Sequence, residues 1–272
     1  MSDRLSVRKT YKLYLGGAFP RSESGRTYQV GGVNVAMASR KDARDAVVAA
    51  RGAFSGWSRA TAYNRGQVLY RVAEVLESRR AEFDVLAEPD EVDAAIDRWV
   101  WYAGWADKLG QVLGATNPVA GPYFNFTLPE PTGVVAVLAP QTSALLGLVS
   151  VLAPVIVSGN TAVVVAAEER PLAAVTLAEV LATSDVPAGV VNLLTGRTAE
   201  LAPGLAAHMD VNAIDLSGAP SGSAADLERA AAENLKRVLR PATDEPDWFA
   251  DPGLTRMTAF LETKTVWHPI GI

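Results

Sequence analysis

At 272 residues, with 49% hydrophobic and 20% charged side chains, the chain has the size and composition of a globular protein that buries a substantial core. Its net charge of −5 argues against nucleic-acid binding, and its lack of cysteine excludes disulfides, thiolate catalysis and thiolate metal ligands. The longest apolar run, residues 145–157, is broken by Ser150 and Pro154 and is too short to span a bilayer. Residues 1–9 contain no apolar leader segment, so we expect a cytoplasmic protein that binds neither membrane nor metal.

The first 132 residues predict a layer of helices followed by strands. Ser39 followed by Asp42 is typical of a helix N-terminus with an acidic first turn, and we expect that helix to run to about residue 54. A second helix is expected from residue 62, and Pro89 opens a third. We assign residues 1–113 to the helical part of the main domain and residues 114–132, rich in turn and β-forming residues, to strands.

Residues 133–241 alternate between apolar strands and amphipathic helices. Strands are expected at residues 134–138, 161–166, 190–194, 212–216 and 236–239, and helices at 145–158, 172–183, 198–208 and 224–233. The helix over 198–208 is expected to be interrupted at Pro203-Gly204. Nearly continuous Val, Leu and Ile strands between helices indicate a parallel sheet covered on both faces, and right-handed crossovers make it a doubly wound, Rossmann-type α/β domain.

The remainder of the chain changes in composition. Residues 242–254, with two prolines and several acidic side chains, are typical of a linker. Residues 255–272 predict a short helical turn and then a β-prone tail. No internal repeat is present.

Several short segments along the chain carry a family resemblance through their order and spacing. They are LYLGGAF (13–19), SGRT (24–27), GPYFNF (121–126), EPTGVV (130–135), SGNT (158–161), PAGVVNL (187–193), TG (195–196), NLKRV (234–238) and FLETKTVW (260–267). On these segments together the chain is identified as a member of the aldehyde dehydrogenase superfamily. The resemblance implies a cofactor-type domain with a β-rich oligomerisation appendage. It also implies that the family's catalytic domain is missing between Arg240 and the tail.

The departures from the family pattern fall at positions that the resemblance makes functional. Thr142 stands where the family has the asparagine that stabilises the oxyanion, and Pro241 stands where it has the general-base glutamate. In the ribose-binding turn the lysine is lost and only Glu168 remains. In the pyrophosphate turn a serine is lost, and Gly218 remains. With no cysteine nucleophile either, the resemblance implies a chain without family catalysis, no expected cofactor, and residual NAD(P) binding through Glu168 and Gly218 left open.

Several of the candidate residues also have a simpler, purely structural interpretation. Glu168 is also typical of an exposed turn acid, Gly218 of a turn that needs a small residue, and Glu91 and Asp93, near Asp97, of a solvated helix face. A catalytic arrangement of His208 with Asp215 or Ser217 can be imagined, but His208 is more typical of a helix C-terminus.

The prediction that this chain binds another protein rests on the tail and on the strands that precede the parallel sheet. The resemblance implies that the tail docks as a strand on a neighbouring subunit's catalytic domain, which this chain lacks, so we expect its acceptor on another protein. The expected interface residues are Phe124, Phe126, Thr263, Lys264, Thr265, Val266 and Trp267. We therefore predict an inactive subunit that joins a full-length aldehyde dehydrogenase in a hetero-oligomer, with a non-catalytic NAD(P) sensor as the alternative. We also expect the missing domain to leave a bare apolar face.

Overall fold

The computed structural model describes residues 7–271, and its first half is a hairpin followed by helices. The elements are β1 (Thr27–Val30), β2 (Val33–Ala36), α1 (Arg40–Arg59), α2 (Ala62–Ser78), α3 (Arg80–Phe83), α4 (Pro89–Trp105) and α5 (Leu109–Leu113). Helix α1 begins as predicted, because the Asp42 N–H donates to Ser39 Oγ and the Ser39 N–H donates to the Asp42 carboxylate. The helix is longer than expected and ends at Arg59. The first six of the residues searched for a leader lie outside the described part of the chain.

The second half contains the alternating elements. They are β3 (Ala115–Asn117), β4 (Tyr123–Pro131), β5 (Val134–Leu138), α6 (Leu146–Val157), β6 (Thr161–Val165), α7 (Pro171–Ala182), β7 (Val191–Leu194), α8 (Thr198–Ala207), β8 (Ala213–Asp215), α9 (Ala224–Ala232), β9 (Arg237–Leu239), α10 (Thr255–Thr258) and β10 (Leu261–Pro269).

Five of these strands form a parallel sheet in the order β7-β6-β5-β8-β9. The chain starts at the central strand β5, builds outward to β7, and then returns to the other side of β5 with β8. This order confirms the predicted doubly wound α/β fold.

Helices cover both faces of the sheet, so β5, β6, β7 and β8 are buried along their whole length, whereas the edge strand β9 is partly exposed. Along β5, Val135 and Val137 belong to the core formed with α2, α4, α6 and α7, whereas Val134, Ala136 and Leu138 belong to the core formed with α1 and α8. The alternation follows from the two-residue period of a strand. No helix within residues 7–271 is long and apolar enough to cross a membrane.

One element of the sheet domain differs from its prediction. Helix α8 runs without interruption from Thr198 to Ala207 and contains Pro203, so the predicted break at Pro203-Gly204 is wrong. Pro203 removes one helical hydrogen bond, but Leu201 and Leu205 on either side of it are buried against the sheet. Burying two leucines stabilises the helix by about 3–6 kcal/mol, which outweighs the cost of about 3 kcal/mol for the proline.

A separate antiparallel sheet, which we call the arm, has the strand order β10-β4-β3. Strand β10 pairs with β4 over nine residues, from Leu261 opposite Pro131 to Pro269 opposite Tyr123. The predicted strands near residue 120 and the β-prone tail therefore form one structure. Strand β3 is only three residues long, so most of the arm is a two-stranded ribbon.

Candidate functional site

The carboxyl ends of β5, β6, β7 and β8 lie along one edge of the parallel sheet. The direction of strand order changes between β5 and β8, and a ligand of a doubly wound sheet binds outside such a switch point. The turns that leave β5, β6, β8 and β9 contain the predicted positions Thr142, Glu168, Gly218 and Pro241. The structure therefore brings the turns of all four positions to the same edge.

The side chain of Glu91, a residue of α4, lies at the N-terminus of α6, the helix that follows β5. One of its carboxylate oxygens accepts hydrogen bonds from the Leu145 and Leu146 N–H groups at 3.0 Å and from the Ser143 hydroxyl. Glu91 is buried, so the reading of it as part of a solvated helix face is wrong. The N-terminus of α6 attracts negative charge, and a carboxylate from α4 supplies it internally.

Glu168 has the same role at α8. One carboxylate oxygen accepts from the Thr198 N–H at 2.7 Å, and the other lies 3.1 Å from the Arg197 guanidinium. Its side chain is 24% exposed, so it is more buried than the exposed turn acid of the plainer reading, and its role toward a ribose stays a prediction. The Gln141 side chain accepts from the Glu168 N–H at 2.9 Å and so ties the β5 turn to the β6 turn.

Thr142 contacts a carboxylate as well. Its hydroxyl donates to Glu245 at 2.5 Å, and the indole N–H of Trp248 donates to the same oxygen at 2.8 Å. Glu245 belongs to the segment that composition marks as a linker. We call residues 245–256 the strap, because this segment lies over the β5 turn and returns to the sheet.

Two arginines hold the strap in place. Arg98 of α4 donates to the main-chain oxygens of Trp248 at 2.7 Å and Ala250 at 3.0 Å. Arg256, at the end of the strap, lies with its guanidinium 5.2 Å from the Trp248 ring and donates to the Ser217 hydroxyl at 3.0 Å. The strap is therefore attached to α4 and to the β8 turn at once, although it contains almost no regular structure.

The strongest of these attachments is an ion pair at the end of β8. Arg256 donates to Asp215 at 2.7 Å, and the Asp215 side chain is 0% exposed. Ser217 donates to the other carboxylate oxygen through both its N–H and its hydroxyl. Burial raises the pKa of Asp215, and the Arg256 guanidinium works against that rise.

The apolar face expected from a missing domain is not bare around α6. All twelve residues of α6 are buried. Met257 and Phe260 are buried in the same core, and Trp248 and Leu254 pack against it. The chain's own C-terminal segment covers this helix, and the expectation of a bare face elsewhere stays a prediction.

Gly218 has a packing reason to be glycine. A Cβ atom at this position would lie 1.8 Å from the main-chain oxygen of Ala139. The Gly218 N–H also donates to the main-chain oxygen of Leu138 at 2.9 Å, so the turns after β5 and β8 touch directly. The close approach accounts for the glycine without a ligand, and its role in cofactor binding stays a prediction.

The two histidines lie apart from this edge. The ring of His208, which follows α8 as its C-cap, accepts from the Asp210 N–H at 3.2 Å, and burial lowers its pKa. Asp215 is engaged by Ser217 and Arg256, so the structure does not assemble the imagined arrangement with His208. His268 lies in β10. Within residues 7–271 no group of three or more His, Asp or Glu residues could hold a metal ion.

The arm presents the predicted interface residues on both of its faces. On one face Phe126 lies opposite Val266, and the ring of Phe124 is 5.3 Å from that of Phe126. On the other face Trp267 stacks edge-on against Tyr123, with ring centroids 5.7 Å apart. Thr263, Lys264 and Thr265 are exposed, and no strand of the described chain pairs with the outer edge of β10.

Sequence reasoning missed four residues that shape this site: Glu91, Arg98, Glu245 and Arg256. A signal was present for the strap, because Trp248 and Phe249 are unusual side chains for a solvated linker. No local pattern identifies the contacts of Glu91, which joins elements more than fifty residues apart.

Comparison with known proteins gives a consistent result. The model of the "Aldehyde dehydrogenase family" matches residues 29–240. The chain is 32% identical over 248 residues to aldehyde dehydrogenase, cytosolic 1, of Elephantulus edwardii, covering 84% of this chain and 49% of that protein. It is 32% identical over 255 residues to human retinal dehydrogenase 2, covering 86% of this chain and 48% of that protein. The chain thus spans about half the length of the curated relatives it matches.

Solved structures agree with the sequence comparison. HpcC from Thermus thermophilus superposes with a TM-score of 0.79 at 30% identity, covering 85% of this chain and 47% of that chain. The NAD+ complex of an aldehyde dehydrogenase from Bacillus cereus superposes with a TM-score of 0.78 at 26% identity, covering 85% of this chain and 50% of that chain.

Replacing Gly218 tests the packing of the edge. We expect Gly218→Ala to lower the free energy of unfolding by about 3 kcal/mol, because main-chain atoms of Ala139 must move to admit the Cβ. Gly104→Ala is the control, since its Cβ meets no atom within 4 Å, and it should be neutral or stabilising by up to about 1 kcal/mol. Urea denaturation measures both, and equal stability of the two variants would contradict the packing argument.

Replacing Arg256 tests the strap attachment and its pH dependence. Arg256→Met leaves Asp215 buried without a counter-charge, so we expect a loss of about 3–5 kcal/mol at pH 8. The pKa of Asp215 then rises further, the folded state holds a proton that the unfolded state releases, and stability falls as pH rises. Urea denaturation between pH 5 and pH 8 should show a smaller loss at the acid end.

The double variant Asp215→Asn with Arg256→Met serves as the control. It removes the titrating group, so its stability relative to wild type should vary much less with pH over the same interval. A pH-independent loss in Arg256→Met alone would show that the ion pair does not hold the strap.

Proposed function

Because the chain belongs to the aldehyde dehydrogenase family, we propose that it is a subunit without catalysis of its own that assembles with a full-length aldehyde dehydrogenase and organises or regulates it. The relatives named cytosolic support a cytoplasmic setting for such a complex. The observation that carries the proposal is a combination of two features: internal carboxylates engage the carboxyl edge of the sheet, and the arm exposes its aromatic residues and its outer strand edge.

The loss of catalysis is supported by the residues at the edge. None of the 272 residues is a cysteine, and Thr142 and Pro241 replace the two other groups that the family chemistry needs. The Thr142 hydroxyl already donates to Glu245, so it is not free to stabilise an oxyanion.

Assembly is supported by the arm. A ribbon of two long strands with side chains exposed on both faces gains little stability from its own core. Phe124 is 48% exposed and Trp267 is 58% exposed, and large aromatic side chains are enriched at protein interfaces. The outer edge of β10 has main-chain groups that another strand can pair with, and edge addition is a common mode of recognition.

Point substitutions in the arm test the assembly. The protein would be co-expressed with a full-length aldehyde dehydrogenase from the same genome, and the complex characterised by size-exclusion chromatography with mass determination. We expect a mixed complex for wild type and at least a tenfold weaker one for Phe124→Ser with Trp267→Ser, because exposed aromatic anchors dominate interface energies. Point variants are preferable to deletion of the tail, which would also strip β4 of its partner.

The matched control is Tyr63→Ser with Tyr70→Ser, which removes two exposed aromatic side chains from α2, outside the arm. This variant should assemble as wild type does. A wild-type protein that elutes alone in the presence of the dehydrogenase would refute the proposal, and equal weakening in both double variants would remove the arm from it.

The alternative, a non-catalytic NAD(P) sensor, predicts binding at the same edge. We propose that dinucleotide binding is absent or very weak, because Glu168, which the resemblance makes the ribose contact, already binds the Thr198 N–H and the Arg197 guanidinium. A ribose hydroxyl would have to compete with both of these partners. Calorimetric titration with NAD and NADP at millimolar concentration should give no saturable heat, and saturable binding would move the sensor function to first place.

A further inference from the structure

Arg98 is a buried cation without an acidic partner. Its residue is 7% exposed, yet its guanidinium donates only to neutral acceptors: the Ser150 hydroxyl at 2.9 Å and the two strap carbonyls. No carboxylate within residues 7–271 lies within 4.0 Å of it. Burial lowers the pKa of Arg98, as expected for a desolvated cation. Buried arginines are otherwise almost always paired, whereas Arg98 feels the charge of Asp251 across the cavity without forming an ion pair with it.

Tyr102 lies one helical turn after Arg98 and is equally unusual. It is 0% exposed, and its hydroxyl has no hydrogen-bond partner in the described part of the chain. Burial raises the pKa of Tyr102 to about 12, so the hydroxyl stays protonated and is available as a donor. A buried hydroxyl without a partner costs free energy that a ligand can recover.

Both side chains line one cavity. It has a volume of about 130 Å³ and lies between α4, α6 and the strap, with Ser150 and Arg256 also in its wall. The Arg98 guanidinium uses three of its five N–H donors on protein acceptors. The inner wall of the cavity, on the side of α4 and α6, is therefore positively charged and rich in hydrogen-bond donors.

The strap adds negative charge to the opposite wall. Asp247 and Asp251 line the cavity from the exposed side, and each carboxylate accepts from a main-chain N–H of the strap at 3.0 Å. Two acids near the entrance disfavour a multiply charged anion such as phosphate. The volume restricts the ligand to a few heavy atoms, since a single water occupies about 30 Å³ of liquid.

We propose that this cavity binds a small monocarboxylate, whose oxygens accept hydrogen bonds from Arg98 and Tyr102 beneath the strap. The ligand supplies the anion that Arg98 lacks and the acceptor that Tyr102 lacks. Because Arg98 also holds the strap carbonyls, ligand binding strengthens the attachment of the strap. The site does not depend on assembly with an active dehydrogenase, so either proposal can fail alone.

Tyr102→Phe is the decisive variant, because it removes one oxygen from a packed ring. The full chain would be titrated with sodium acetate by calorimetry in a buffer without other small anions. We expect saturable binding by wild type and about tenfold weaker binding by Tyr102→Phe, from the loss of one hydrogen bond to a charged group. Tyr70→Phe, which alters a hydroxyl on the surface of α2, should bind as wild type does.

Two further measurements complete the test. Sodium chloride and sodium phosphate at matched ionic strength should give no saturable heat, and saturation by either would overturn the assignment of a carboxylate. The thermal stability of Tyr102→Phe without acetate should equal or exceed that of wild type, because no hydrogen bond is lost. A less stable variant would show that the hydroxyl already has a partner, and no saturable heat with acetate would overturn the site itself.

Discussion

Asp215 is a carboxylate with no access to solvent, and Arg256 is the side chain that supplies its counter-charge. The pair joins the end of β8, in the middle of the parallel sheet, to a segment that contains little regular structure. A buried carboxylate at this depth needs a cation beside it. If the strap moved away, the charge of Asp215 would be left buried and unpaired, at a large cost in free energy. Arg256 also lies over the Trp248 ring, and the next residue, Met257, is buried in the core with α6.

Carboxylates of the chain also meet hydrogen-bond donors elsewhere along the carboxyl edge of the sheet. Helix N-termini attract negative charge, and in a doubly wound fold that charge commonly belongs to a bound phosphate. Here Glu91 and Glu168 supply it from within the chain, and Glu245 takes the hydroxyl of Thr142. These internal carboxylates stabilise the edge without a ligand, which supports the proposal that this family member acts without catalysis.

The arm, in contrast to the parallel sheet, is largely exposed. The parallel sheet buries every residue of β5 and β6, whereas β10 is exposed along most of its length. A domain with two cores is stable alone, but an exposed ribbon with Phe124 and Trp267 on its faces gains most by meeting another surface. The chain thus divides into a sheet domain whose apolar strands are buried and an arm whose aromatic side chains are exposed, and the arm is the part that we propose to bind a partner.

The strands and helices of the sheet domain could be predicted to within about two residues because their signal is local: apolar runs, caps and turn residues lie within one element. The same local patterns brought the turns of Thr142, Glu168, Gly218 and Pro241 to one edge. The contacts that define that edge could not be predicted, because they join residues 54, 103 and 41 positions apart in Glu91–Leu145, Thr142–Glu245 and Asp215–Arg256. Composition shows that acids and arginines are present, but only the packing of α4, α6 and the strap decides which charge each one meets. The sequence by itself therefore determined the fold and the absence of cysteine from these 272 residues, and the tertiary structure decided that the chain's own carboxylates and strap cover the edge.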